Sequence, residues 1–152
     1  MDSFIHSHPA ETKAIGPWLI SAVLRRAPLV MITLIFTLIS FRYLADPVAS
    51  AAAAGIAFTS PGGITIARVG FAAFPLSFAI LAFASLISEK RHLAGLYIVL
   101  TVISVVVAVR IFGILVDHST DSAPLLAPEA VLLTLSVLAI RLELARRRRE
   151  SS

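Results

Sequence analysis

Four long apolar runs separated by short polar segments dominate this 152-residue chain. They cover about 27–44, 64–88, 93–116 and 128–145, each long enough for a helix to cross a hydrocarbon core. The pattern predicts an all-α, integral membrane four-helix bundle filling about 16–145, with a polar tail at 1–15 and a basic tail at 146–152.

Local signals refine that outline. The tail carries His6, His8 and Pro9; these two histidines lack a third ligand nearby, so a solvated tail is preferred to a metal site. Gly16-Pro17-Trp18 opens a helix, with proline where its missing N–H is harmless and tryptophan suited to a headgroup layer. Tyr43 anchors the far end of the first span. Asp46-Pro47 reads as an N-cap followed by a first-turn proline, which predicts a short helix over Val48 to Phe58. Eleven residues cannot cross a bilayer, so this helix is expected at the outer interface or against the bundle. Thr59-Ser60-Pro61-Gly62-Gly63 is the clearest break. Pro75 predicts a kink inside the second span. Pro128, with Glu129 in the first turn, marks the start of the fourth span. Gly70, Ala73, Gly95, Ser104 and Gly113 are small residues that permit close helix contacts.

Charge sets an expected orientation. Lys13, Arg25 and Arg26 precede the first span, Lys90 and Arg91 lie between the second and third, and Arg141 with Arg146 to Arg149 close the fourth. The connections 45–63 and 117–123 carry Asp46, Asp117 and Asp121 but no lysine or arginine. By the positive-inside rule both termini are cytoplasmic, in a multi-pass protein of a cell inner membrane. Arg25-Arg26 before an apolar stretch, with Ala49-Ser50-Ala51 beyond it, also invites a signal-peptide reading. The long leader and the length of the run from Ala27 to Phe41 argue against it, and the pair lacks the flanks of a twin-arginine signal.

Composition agrees: 58% of residues are hydrophobic, 14% are charged, and the mean hydropathy is +0.92, far from the range of soluble domains. Four spans leave no length for a soluble catalytic domain. The pI near 10.3 reflects basic flanks rather than one basic face, which fits membrane lipids and not nucleic acid. The absence of cysteine excludes disulfides, thiolate catalysis and iron–sulfur ligation.

Three arginines break the charge pattern. Arg42, Arg68 and Arg110 lie at the outward ends of their helices, Arg68 and Arg110 roughly 6–9 Å below the boundary at about 1.5 Å per residue. Asp46, Asp117 and Glu129 share that layer. Arg110, Gly113 and Asp117 fall on one helix face, with Gly113 leaving room beside it. Charges at such depth are costly unless paired, hydrated or bound to a ligand. One reading makes Arg42, Arg68, Arg110, Asp117 and Glu129 the polar lining of an outer-half pocket for a lipid, quinone or other amphiphile. The other is structural: Arg110 pairs with Glu129, Arg68 pairs with Asp117 or Asp46, and the pairs only fix helix packing. Snorkelling weakens the pocket reading, since an arginine this near an interface can reach the headgroups by itself. His118 is a weaker acid–base candidate. Glu89-Lys90-Arg91-His92 reads as a topology-setting turn, and Arg146 to Arg149 as a stop signal that also attracts anionic lipid.

These residues resemble the DoxX-like group of small four-helix bacterial membrane proteins. The likeness covers about Phe41 to Ala145 and rests on Pro61-Gly62-Gly63 before Arg68, on Arg110-Ile111-Phe112-Gly113, and on Glu129 opening the fourth span. It implies a four-helix bundle with an outer polar layer; some DoxX-like proteins are associated with quinone-linked redox complexes. No paired intramembrane histidines are present for haem ligation. The chain reads as a non-enzymatic accessory subunit or ligand-binding protein, compatible with a homo-oligomer or a larger complex and with no cofactor assigned. Catalysis through Glu129 or His118 is the less supported alternative, and transport would require dimerisation.

Overall fold

The computed structural model describes residues 16–118 and 120–151, all in helices and their connections. The expected N-terminal tail, with His6 and His8, lies outside the described residues. In chain order the elements are α1 (Pro17–Ala45), α2 (Pro47–Ala52), α3 (Pro61–Arg68), a π turn (Val69–Ala73), α4 (Phe74–Leu86), α5 (Glu89–Asp117), a 3-10 turn (Ala123–Leu125) and α6 (Leu126–Glu150). Among the described residues, four helical rods are long and apolar enough to cross a membrane: Trp18–Ala45, Pro61–Leu86, Glu89–Asp117 and Ala123–Glu150. Successive rods pack side by side and the last closes on the first, giving a ring in chain order.

Each boundary has a local cause. The Asp46 carboxylate accepts from Ala49 N–H at 2.9 Å, capping α2 as its sequence predicts. The short helix ends sooner than Phe58, at Ala52, because Gly55 takes φ +74°. Around it Gly55 N–H donates to the Ala52 carbonyl and Ile56 N–H to the Ala51 carbonyl, the paired bonds of a Schellman closure. The break at 59–63 contains the start of the second rod: Ser60 Oγ accepts from Gly63 N–H at 3.2 Å, with Pro61 in the first turn. Pro75 cannot donate to the Phe71 carbonyl and its ring would crowd it. The chain answers with the wide turn just before it, where Phe74 N–H reaches the Val69 carbonyl five residues back. Where the sequence predicts a kink, the structure has a π turn. Pro28, inside α1, is absorbed without ending the helix.

A close helix approach marks the half of the bundle that holds the start of α1 and the end of α6, termed here the basic end. A Cβ on Gly95 of α5 would overlap Ser85 Cβ and Oγ of α4 and press on Leu29 of α1, so glycine allows three helices to converge there. Leu29, Ile32, Leu96, Val99, Ala139 and Ile140 continue the core. Buried Ser40, Ser85 and Ser136 donate to the carbonyls of Phe36, Leu81 and Leu132 in the preceding turn, so none carries an unsatisfied hydroxyl. Outside, Leu34, Leu38, Phe74, Phe83, Val109 and Phe112 are exposed, an apolar exterior that suits lipid as solvent.

Candidate functional site

Among the described residues, two ion clusters sit near opposite ends of the bundle. Glu129 and Glu143 anchor them on the same helix, fourteen residues or about 21 Å apart. That is less than the ~30 Å hydrocarbon thickness, so the two clusters cannot both lie outside the low-dielectric layer.

At the distal end, Arg110 of α5 and Glu129 in the first turn of α6 form a two-pronged pair. Arg110 Nε donates to Oε1 and Oε2 at 3.0 and 2.9 Å, and Nη2 donates to Oε1 at 2.6 Å. Their side chains are 21% and 14% exposed. Pro124 in the 3-10 turn and Pro128 lead the chain into α6, aiming Glu129 across at α5. Among the described residues, Arg110 Nη1 has no protein acceptor.

Beneath this pair lies a cleft of about 350 Å³ between α1, α5 and α6. Ile32, Phe36 and Ile39 form one wall, Ile103 and Val106 a second, and Leu125 and Leu132 a third, with Arg110 and Glu129 among the lining residues. The volume falls within the ~300–1,000 Å³ of small-molecule pockets, and the chemistry is the usual one, an apolar body with a few polar groups. Arg110 also borders a groove with Val105, Val106 and Val109 on the flank of α5, so the cleft adjoins a surface that faces lipid.

The other expected site residues are not gathered here. Arg42, Arg68 and Asp117 are exposed, and among the described residues none of them forms an ion pair. The expected pairing of Arg68 with Asp46 or Asp117 does not occur, for two reasons. Asp46 is engaged as the α2 cap, and α3 packs against α1 and α2 rather than beside the α5 terminus that carries Asp117. Gly113 does leave space, since a Cβ there would meet only Asp117 Oδ2 of its own helix. His118 is exposed and closes α5 in a left-handed conformation.

The basic end holds a cluster that the charge pattern concealed. The Glu143 side chain has no exposed surface and binds three arginines: Arg25 Nη1 at 2.7 Å, Arg146 Nε and Nη2 at 3.2 and 2.9 Å, and Arg147 Nε at 2.8 Å. Glu89 takes Arg26 and Arg146, while Arg147 Nη2 donates to the Glu89 carbonyl. His92 is buried, and its Nε2–H donates to the Arg25 carbonyl at 3.3 Å. The residues expected to act as a topology signal and a basic tail therefore join α1, α5 and α6, and α6 stays helical to Glu150. Arg146 and Arg147 at three and four residues after Glu143 were the available sequence signal; the partnership with Arg25 was not readable locally. Among the described residues no buried side-chain nitrogen or oxygen lacks a partner. No protein-family model, curated protein or solved structure matches the chain significantly.

Proposed function

We propose that this chain is a non-enzymatic, multi-pass inner-membrane protein that holds an amphiphile in its distal cleft. The single observation that carries this reading is the Arg110–Glu129 pair on an otherwise apolar 350 Å³ cleft. An apolar chain lies against Ile39, Ile103 and Val106, and a polar head meets the free donors of Arg110. Because Glu129 already neutralises the guanidinium, the favoured head is a neutral acceptor such as a quinone carbonyl, an ester or a hydroxyl. A second anion would meet the Glu129 carboxylate in a low dielectric. The reading fits the DoxX-like resemblance and an accessory role beside a larger complex.

The competing reading, in which the pair only fixes helix packing, draws support from its two-pronged geometry. Cleft filling separates the two. Val106→Trp fills the cleft, whereas Val131→Trp adds the same bulk at an exposed position on α6. Retention of decylubiquinone and of a monoacylglycerol by the purified protein, read by native mass spectrometry, should fall at least about tenfold in Val106→Trp, a loss of ~1.4 kcal/mol. It should stay near wild type in Val131→Trp. Equal retention in both variants would leave only the structural role.

A further inference from the structure

We propose that the basic end of α1 and α6 is a built binding site for the phosphate of an anionic phospholipid, separate from the distal cleft. A cavity of about 370 Å³ opens there, lined by Ser21, Arg25, Leu142, Ala145, Arg146 and Arg149, with Glu150 at its edge. Three guanidiniums line the cavity, and its one carboxylate, Glu150, accepts from Arg146 Nη1 at 2.9 Å. Glu143 lies behind them, fully buried, and fixes Arg25 from α1 and Arg146 from α6 in one geometry at 2.7 and 2.9 Å. Glu143, Glu89 and Glu150 pair with Arg25, Arg26, Arg146 and Arg147, and Arg149 adds a fifth cation, so positive charge is in excess and the donors are not all spent. Arg25 gives only Nη1 to Glu143, and among the described residues Arg149 has no protein acceptor.

A phosphodiester matches this arrangement: its oxygens take several guanidinium N–H groups at once, and its charge balances the excess. Leu142 and Ala145 supply an apolar floor between two membrane helices, which suits the glycerol and first acyl carbons of a lipid rather than a free anion. Glu143 acts as a positioning residue, holding arginines that would otherwise repel one another. Diffuse attraction of basic flanks to an anionic surface makes no such demand on position.

The test uses the full-length protein in detergent, equilibrated with mixed phosphatidylglycerol and phosphatidylcholine micelles and read by native mass spectrometry. Wild type should retain phosphatidylglycerol over phosphatidylcholine. Arg149→Gln, which leaves every Glu143 contact in place, should lower that retention about fivefold, the loss expected for one charge at the surface. Lys90→Gln removes the same charge outside the cavity and should have little effect. Ala145→Phe keeps all charge but fills the cavity, and should also abolish the preference. Three outcomes would overturn the proposal: equal loss in Arg149→Gln and Lys90→Gln, wild-type retention in Ala145→Phe, or displacement of the lipid by millimolar inorganic phosphate, which would mark a soluble-anion site.

Discussion

Removing Arg110 should cost far more than removing a surface arginine, and the cost should be recoverable. In Arg110→Leu the Glu129 carboxylate loses three N–H contacts at 2.6 to 3.0 Å and, on its shorter stem, regains only part of the lost solvation from water. Breaking a fully buried pair costs ~3–5 kcal/mol. Exposures of 21% and 14% admit some solvent, so about 2–3 kcal/mol is expected. Glu129→Leu should cost less, about 1–2 kcal/mol, because the arginine stem can carry its charge toward the interface. The double variant leaves two apolar side chains in an apolar setting and should recover ~1–2 kcal/mol relative to the sum of the singles. Reversible unfolding in mixed micelles, with the four proteins as a double-mutant cycle, gives each term. Strict additivity, or an Arg110→Leu effect below about 0.5 kcal/mol, would show that the two side chains act independently and refute the pairing energetics. In the double variant the bundle should remain folded while amphiphile retention falls.

Glu143→Gln should destabilise the bundle by ~3–5 kcal/mol, since three arginines lose their common counter-ion; Glu89→Gln, whose side chain is 59% exposed, should cost at most about 1 kcal/mol in the same unfolding assay. Gly95→Ala, whose new Cβ overlaps Ser85, should cost ~1–3 kcal/mol, whereas Gly70→Ala, with no atom within 4 Å, should be neutral or better. Because the chain has no cysteine, Ala54→Cys and Lys90→Cys report topology directly. An impermeant maleimide applied to spheroplasts should label position 54 and reach 90 only after permeabilisation, and the reverse pattern would invert the orientation.

The four rods were legible because length and apolarity are local properties, and so were the cap at Asp46 and an irregularity at Pro75, whereas 59–63 read only as a break and hid the Ser60 cap that starts the second rod. The early end of α2 follows from Gly55, a left-handed terminator that the apolar composition of 48–58 hid. Arg110 and Glu129 could be paired from depth alone, since both lie near the distal ends of adjacent spans. Arg68 could not be placed that way, because depth says nothing about which helix faces which. The same limit hid the Glu143 cluster. Its arginines belong to segments whose charge is already explained by membrane orientation, and only the packing of α1 on α6 turns Arg25 toward Glu143. Nor does sequence reveal the distal cleft, whose lining residues Ile39, Val106 and Leu125 come from elements far apart in the chain.

Photolabelling tests the proposed cleft most directly. A diazirine-bearing monoacylglycerol, equilibrated with the protein in a bilayer and activated, should label side chains around Phe36, Val106 and Leu132 well above lipid-facing positions such as Phe83 and Val137, with Val106→Trp abolishing the excess. Labelling spread evenly over all exposed apolar residues, unchanged by Val106→Trp, would contradict an amphiphile site and leave the Arg110–Glu129 pair as a packing device.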